Sequence, residues 1–154
     1  MRIALASDHA GYALKAHLAS ALAAAGHDVR DLGTDGPDSV DYPLYAAPAA
    51  RLVAAGEADR GVLVCGSGNG VAIVANKVAG IRAVNAHDRD EAEMARRHND
   101  ANVVTLSGAR LAPEEADAIV QTFLETGFDG GRHARRVGEI AAIEHETTAT
   151  ETPA

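Results

Sequence analysis

A lone thiol and three glycines on alternate positions stand together in Gly61-Val62-Leu63-Val64-Cys65-Gly66-Ser67-Gly68-Asn69-Gly70. The apolar run up to Cys65 reads as a buried strand, and Val71 to Lys77 reads as a helix. Glycine lets a backbone turn sharply and bring several N–H groups to one point. The positive end of the helix dipole adds to them, so strand, glycine loop and helix form a recipe for holding an anion. Thiols beside a helix N-terminus ionise more readily. Cys65 could therefore take a proton from carbon while the loop amides hold the resulting enediolate. The loop is not the dinucleotide fingerprint, because its spacing is G-x-G-x-G in mid-chain. No Gly-Lys-Ser/Thr follows, which excludes a Walker A loop. A glycine-rich turn without a ligand is the alternative for the loop alone, and the adjacent thiol weighs against it.

Other polar groups sit at the ends of predicted elements. Asp8-His9 follows the first strand, Tyr42 precedes a Pro-initiated helix, and His98-Asn99 ends a charged helix. Each has a plainer reading: Asp8 as a helix cap, His98 as a polar helix end favoured by the dipole, Cys65 as an inert buried thiol. Arginines 132, 135 and 136 equally suit a solvated face. Loops at the carboxyl ends of parallel strands face one side. The expectation is that Asp8-His9, Cys65 to Gly70, His98-Asn99 and Tyr42 converge there. An acid–base pair such as Asp8 and His98 could then open a sugar ring. Paired arginines with His9 could hold a phosphate.

The elements that must position these groups alternate along the chain. Strands are predicted at Arg2–Ser7, His27–Leu32, Gly61–Cys65, Ile81–Asn85 and Asn102–Leu106. Between them run helices over Tyr12–Ala25, from Pro43 to about Ala55, over Val71–Lys77, Asp88–Arg97 and Pro113–Leu124, with a last helix from Arg132 to about Glu146. Leu14, Leu18 and Leu22 recur every four residues as one apolar stripe. Such alternation implies a parallel sheet covered on both faces. The predicted fold is a single-domain α/β three-layer, Rossmann-like sandwich with a five-stranded parallel sheet over residues 1–146, followed by a disordered tail at 147–154.

Composition narrows the function classes. At 154 residues, 47 % of them hydrophobic, the chain can bury a real core as one domain. A net charge of −8 argues against nucleic acid as a partner. No run is long enough to span a membrane, and the chain enters a strand with no signal peptide. One cysteine excludes a disulfide framework and suits a reducing cytoplasm. The seven histidines are scattered, without the close pairing a zinc site needs.

The residues that carry chemistry also match a known family. Ser7-Asp8-His9-Ala10-Gly11, Asp41-Tyr42-Pro43, Cys65 to Gly70, Ala75-Asn76-Lys77, Gly80-Ile81-Arg82-Ala83, His98-Asn99-Asp100-Ala101-Asn102-Val103 and Gly131-Arg132-His133 resemble ribose-5-phosphate isomerase type B, a family shared with galactose-6-phosphate isomerase subunits. The resemblance spans the chain to about residue 145. It implies that Cys65 moves the proton between C1 and C2, with Ser67 and the N–H groups of Gly66, Gly68, Asn69 and Gly70 forming the anion hole. It implies that His98 and Asp8 open the furanose ring, that Asn99 and Tyr42 contact substrate, and that His9, Arg110, Arg132 and Arg136 bind phosphate. It further implies a homodimer, or a dimer of dimers, with sites shared between chains and neither metal nor organic cofactor. One branch of the family replaces the cysteine by a Glu just after the glycine loop. Here that position is Val71, which leaves Cys65 as the base.

The expected activity is cofactor-free isomerisation of ribose 5-phosphate to ribulose 5-phosphate through a cis-enediolate. A sugar phosphate of four or six carbons (a tetrulose, allose or galactose phosphate) is the enzymatic alternative. A non-catalytic phosphate- or nucleotide-binding module on the same fold is the other. A binding module needs the glycine loop but has no use for Cys65, Asp8 and His98.

Overall fold

A computed structural model describes residues 1–150. In chain order the elements are β1 (Arg2–Ser7), α1 (Tyr12–Ala24), β2 (Asp28–Asp31), α2 (Pro43–Ala54), β3 (Arg60–Cys65), α3 (Asn69–Asn76), β4 (Ala83–Asn85), α4 (Arg89–Asn99), β5 (Val103–Ser107), α5 (Pro113–Glu125) and α6 (Arg132–Thr150). The five strands form one parallel sheet in the order β2-β1-β3-β5-β4. Successive strand residues point to opposite faces. Ile3, Leu5, Val62, Val64, Val104 and Leu106 therefore pack with α1, α4 and α5. Ala4, Ala6, Leu63, Cys65 and Val103 pack with α2 and α3.

The two faces differ in character. On the first, the Leu14, Leu18 and Leu22 stripe of α1 meets Ile119, Val120 and Phe123 of α5. On the second, α2 and α3 bring Ala46, Ala49, Ala50 and Ala75 against the sheet. That side is a layer of methyl groups, and it is the side toward which Cys65 points.

Several boundaries fall elsewhere than predicted, each for a local reason. Helix α3 begins at Asn69, not Val71, so Gly70 lies in its first turn. Strand β4 starts at Ala83 because the Arg82 N–H is taken by the Asn102 side chain at 2.9 Å. Helix α4 runs on to Asn99, so His98 and Asn99 belong to its last turn rather than to a loop. Asp100 stops it in the left-handed region, at φ 46°. That conformation is costly for a residue with a Cβ. Here Arg96 holds one Asp100 oxygen at 2.8 Å while Arg82 holds the other at 3.3 Å. Strand β2 is shorter than predicted, at Asp28–Asp31. Helix α6 continues to Thr150, so the first residues of the expected tail are helical, and 151–154 lie outside the described residues. No helix among the described residues is long and apolar enough to cross a membrane.

An ion pair with a buried lysine and an exposed carboxylate had no signal in the sequence. Lys15 is 2 % exposed, and its Nζ lies 2.7 Å from both Asp31 carboxylate oxygens. Asp31 also accepts the Gly33 N–H at 2.9 Å. The pair ties α1 to the end of β2 and fixes where the Gly33-to-Asp41 loop departs.

Candidate active site

The carboxyl edge of the sheet is built around Cys65. The thiol is buried at the end of β3, and its Sγ accepts the Gly68 N–H at 3.2 Å. Gly68 sits at φ +80°, and a Cβ there would collide with the Asn85 side chain, so only glycine fits. Ser67 is exposed, and its Oγ accepts the Asn69 N–H at 3.1 Å. A Cβ on Gly70 would lie 2.8 Å from the Tyr42 ring, which places that aromatic over the start of α3. Val71, the residue after the loop, is buried at 1 % and carries no titratable group.

The loops after β1 and β5 close the same edge. Asp8 is buried, and its Oδ1 accepts the Gly11 N–H at 3.0 Å, closing the turn that leads into α1, whose own N-cap, Gly11, has no side-chain cap. Its backbone N–H donates to the Val64 carbonyl, one residue before Cys65. The Nδ1 of His9 accepts the Val40 N–H at 3.2 Å, which pins the Gly33-to-Asp41 loop and leaves Nε2 to carry the ring proton. Gly66 lies against the Ala10 methyl group. After β5, the Ala109 N–H reaches the Gly66 carbonyl at 3.2 Å, and the next residue, Arg110, is exposed.

His98 and Asn99 are not on this edge, contrary to the expected convergence. Helix α4 runs antiparallel to the strands, so its last turn arrives at their amino ends. The Gly61 N–H, near the start of β3, bonds to the Asn102 carbonyl, and Arg82 donates to the carbonyls of Asn99 and Asp100. Four residue steps of β3 separate Gly61 from Cys65, about 13 Å of strand. Within one chain, His98 and Cys65 therefore belong to opposite ends of the sheet.

A second polar group gathers at that amino edge. The His98 ring stacks on His133 of α6, with centroids 4.2 Å apart and planes 8° from parallel. His133 is buried. Burial, then the charges of His98, Arg132 and Arg136, push its imidazolium pKa below the usual histidine value. Arg132 and Arg136 lie exposed on α6 beside it. Asp129 pairs with Arg97 at 3.2 Å, which holds its carboxyl below the usual range. His98, Asp129 and His133 offer ligand atoms within 4.8 Å of one another, a grouping that the scattered histidines had concealed. In-plane lone pairs of two parallel rings do not converge on one ion, and Asp129 is already held by Arg97, so the arrangement suits stacking better than metal binding.

Three further polar residues escaped notice because they lie within or at the end of apolar strands. Asn85 ends β4, and its Nδ2 donates to the Ser67 carbonyl at 3.1 Å and to Asn69 Oδ1 at 2.8 Å. The Thr105 hydroxyl donates to the Gly68 carbonyl at 2.8 Å, and the Ser107 hydroxyl to the Gly66 carbonyl at 2.6 Å. The available signal was a polar residue in the middle and at the end of Val103-Val104-Thr105-Leu106-Ser107.

Comparison with known proteins agrees with this geometry. Residues 3–140 match the family described as Ribose/Galactose Isomerase. The ribose-5-phosphate isomerase B of Escherichia coli is 43 % identical over 143 residues, covering 93 % of this chain and 96 % of that protein. The solved structure of Clostridium thermocellum ribose-5-phosphate isomerase B superposes with a TM-score of 0.94 at 46 % identity, covering 96 % of this chain and 99 % of the other. That of the Mycoplasma genitalium enzyme, which has ribulose-5-phosphate bound, gives 0.91 at 39 % identity, over 94 % and 97 %. With a thiol set in a loop of amides, the same sheet and near-complete coverage, the chain belongs to the ribose/galactose isomerase family.

Proposed function

We propose that the chain is a cofactor-free aldose–ketose isomerase that interconverts ribose 5-phosphate and ribulose 5-phosphate. The observation that carries this reading is the Gly68 N–H on Cys65 Sγ, at 3.2 Å, in a loop that opens α3. The Cys65 thiolate takes the proton from C2 of the open-chain aldose. The C2–H bonding pair becomes the C1–C2 double bond, and the carbonyl oxygen on C1 becomes the enediolate oxygen. Loop N–H groups and the Ser67 hydroxyl stabilise that charge. The C2 hydroxyl proton passes to the C1 oxygen, and return of the first proton from Cys65 to C1, with the C1–C2 double-bond pair forming the new C–H bond, leaves the C2 carbonyl of the ketose. Tyr42 and Asn99 contact the sugar, while His9, Arg110, Arg132 and Arg136 take the phosphate.

In this reading the working unit is a two-fold dimer. Ring opening and proton transfer act on adjacent atoms, so His98 must reach the Cys65 end of a sheet. One chain keeps them apart, and a partner supplies His98, Asn99, Arg132 and Arg136 from its amino edge. The exposed Leu44 of α2, Ile73 of α3, and Ile140 and Ile143 of α6 offer apolar surface for that association. A free thiol as base requires a reducing compartment, and we place the enzyme in the cytoplasm.

The test is a coupled assay for ribulose 5-phosphate with EDTA present. Turnover that EDTA leaves unchanged is expected. Absence of turnover with ribose 5-phosphate, alongside turnover of a four- or six-carbon sugar phosphate, would move the substrate assignment. Inactivity on all of them, with phosphate compounds still bound, would make the chain a binding module.

A further inference from the structure

The carbonyl groups of residues 65 to 68 are all accounted for. Cys65 O accepts the Gly108 N–H at 2.8 Å. Gly66 O accepts the Ser107 hydroxyl at 2.6 Å and the Ala109 N–H at 3.2 Å, Ser67 O the Asn85 amide at 3.1 Å, and Gly68 O the Thr105 hydroxyl at 2.8 Å and the Ala72 N–H at 3.3 Å. The side-chain donors come from the end of β4 and from β5, and the backbone donors from the turn after β5 and from α3. In a trans peptide the C=O and the following N–H point in opposite directions. Tying back the carbonyls of residues 65 to 68 therefore turns the N–H groups of residues 66 to 69 the other way. Two of these amides are seen doing so: Gly68 N–H lies on Cys65 Sγ and Asn69 N–H on Ser67 Oγ.

We infer that Asn85, Thr105 and Ser107 are positioning residues, a three-point clamp that sets the peptide planes of the glycine loop so that its amides face the developing negative charge. A glycine-rich loop has no intrinsic preference for this orientation, since glycine visits both signs of φ. Without the clamp the Ser67–Gly68 peptide, whose carbonyl takes only the Asn85 amide among the described residues, could rotate and present its oxygen to an anion, and the Gly66 and Gly68 carbonyls would each be left with a single backbone donor. Thr105 and Ser107 are buried, at 0 % and 1 % exposure, so neither hydroxyl serves solvent. Asn85 is held at a cost. Its Oδ1 is buried and has no hydrogen-bond partner among the described residues, while both Nδ2 contacts go to the loop. A buried acceptor left unsatisfied in this way costs stability. Gly68 completes the device, because a Cβ there would collide with this same Asn85 oxygen.

The inference rests on the isomerase reading, in which the amides hold an enediolate. Three variants each delete one anchor: Thr105→Val, Ser107→Ala and Asn85→Leu. Kinetics on ribose 5-phosphate would be paired with calorimetric affinity for two probes, a planar hydroxamate that mimics the enediolate and ribitol 5-phosphate, which carries no such charge. Each variant is expected to lose about tenfold or more in kcat and in hydroxamate affinity, a fraction of what a whole oxyanion donor contributes. KM and ribitol 5-phosphate affinity should stay within about twofold, and Thr105→Ser should restore both lost quantities. Equal losses for the two probes, or a lowered melting temperature with unchanged kcat, would overturn the clamp. Should Asn85→Leu fail to fold, Thr105→Val and Thr105→Ser carry the same comparison. A wild type without isomerase activity would overturn the isomerase reading instead. The clamp would then be judged on the crystal structure of Thr105→Val, where an unchanged peptide between Gly68 and Asn69 refutes it.

Discussion

Mixing two inactive variants should regenerate activity. Cys65 lies at the carboxyl end of β3, and His98 lies on the last turn of α4 at the amino end. At about 3.3 Å per residue, the four steps from Gly61 to Cys65 alone span about 13 Å. Ring opening and proton abstraction each require a group within about 3 Å of neighbouring substrate atoms. On the proposed reading one chain cannot satisfy both, and each site draws Cys65 from one protomer and His98 from the other. Cys65→Ala and His98→Asn are prepared separately, shown to be weak, then mixed so that subunits exchange. By two-fold symmetry about half the dimers are mixed, and each of those has one site with both lesions and one with none. Activity should recover to about a quarter of wild type, per total protein. The same recovery is expected with Arg136→Ala in place of His98→Asn, because Arg136 shares its helix with His133, which stacks on His98. Native mass spectrometry verifies exchange independently. Mixed dimers with no recovered activity would refute the reasoning and require a site formed within one chain.

Other outcomes follow from individual contacts. Cys65→Ala should lower kcat by about 10²–10⁴, the usual contribution of a positioned base, with analogue affinity by calorimetry kept within about tenfold. The lowered pKa of His133 makes the folded chain bind this proton less readily than the unfolded chain. Its contribution to stability is therefore complete above the unfolded value, about 6.5, and is lost as pH falls below it. Urea midpoints between pH 5 and 8 should show this slope, and His133→Gln should flatten it. Asp31→Ala strands a lysine that is only 2 % exposed, and should cost about 3 kcal/mol in urea unfolding; a loss under about 1 kcal/mol would mean that Lys15 finds water or another acceptor.

The parts of the fold written in periodicity were legible. Apolar strands set apart by helices gave a parallel sheet, and the four-residue spacing of Leu14, Leu18 and Leu22 gave the buried stripe of α1. The glycine loop was legible because glycine marks backbone that side chains would obstruct, as Gly68 and Gly70 do here. The placement of His98 was not. Nothing near Arg97 signals that α4 continues, because its stop is a non-glycine residue in a left-handed conformation, held by Arg82 and Arg96. The extension is not what displaces His98: a segment that follows a helix and leads into a strand lies at the amino edge of a parallel sheet, and the expected convergence treated it as a loop that follows a strand. The buried Lys15 was illegible for a related reason: a lysine next to a leucine stripe reads as solvent-facing until its partner, 16 residues away, is placed beside it.

The methyl-lined face beneath Cys65 has a consequence for motion. Alanine has no side-chain torsion that changes its shape, so Ala4, Ala6, Ala46, Ala49, Ala50 and Ala75 have no alternative rotamers to visit. The leucine- and phenylalanine-rich face can absorb a disturbance by exchanging rotamers, whereas here only Val53, Leu63, Val71, Ile81 and Val103 among the buried side chains can, and more of the response falls to movement of α2 and α3. Thermal fluctuations of α2 and α3 are thus transmitted to the glycine loop as rigid displacements. The precision of the thiol's surroundings is set by backbone geometry, with almost no side-chain configurational entropy to blur it.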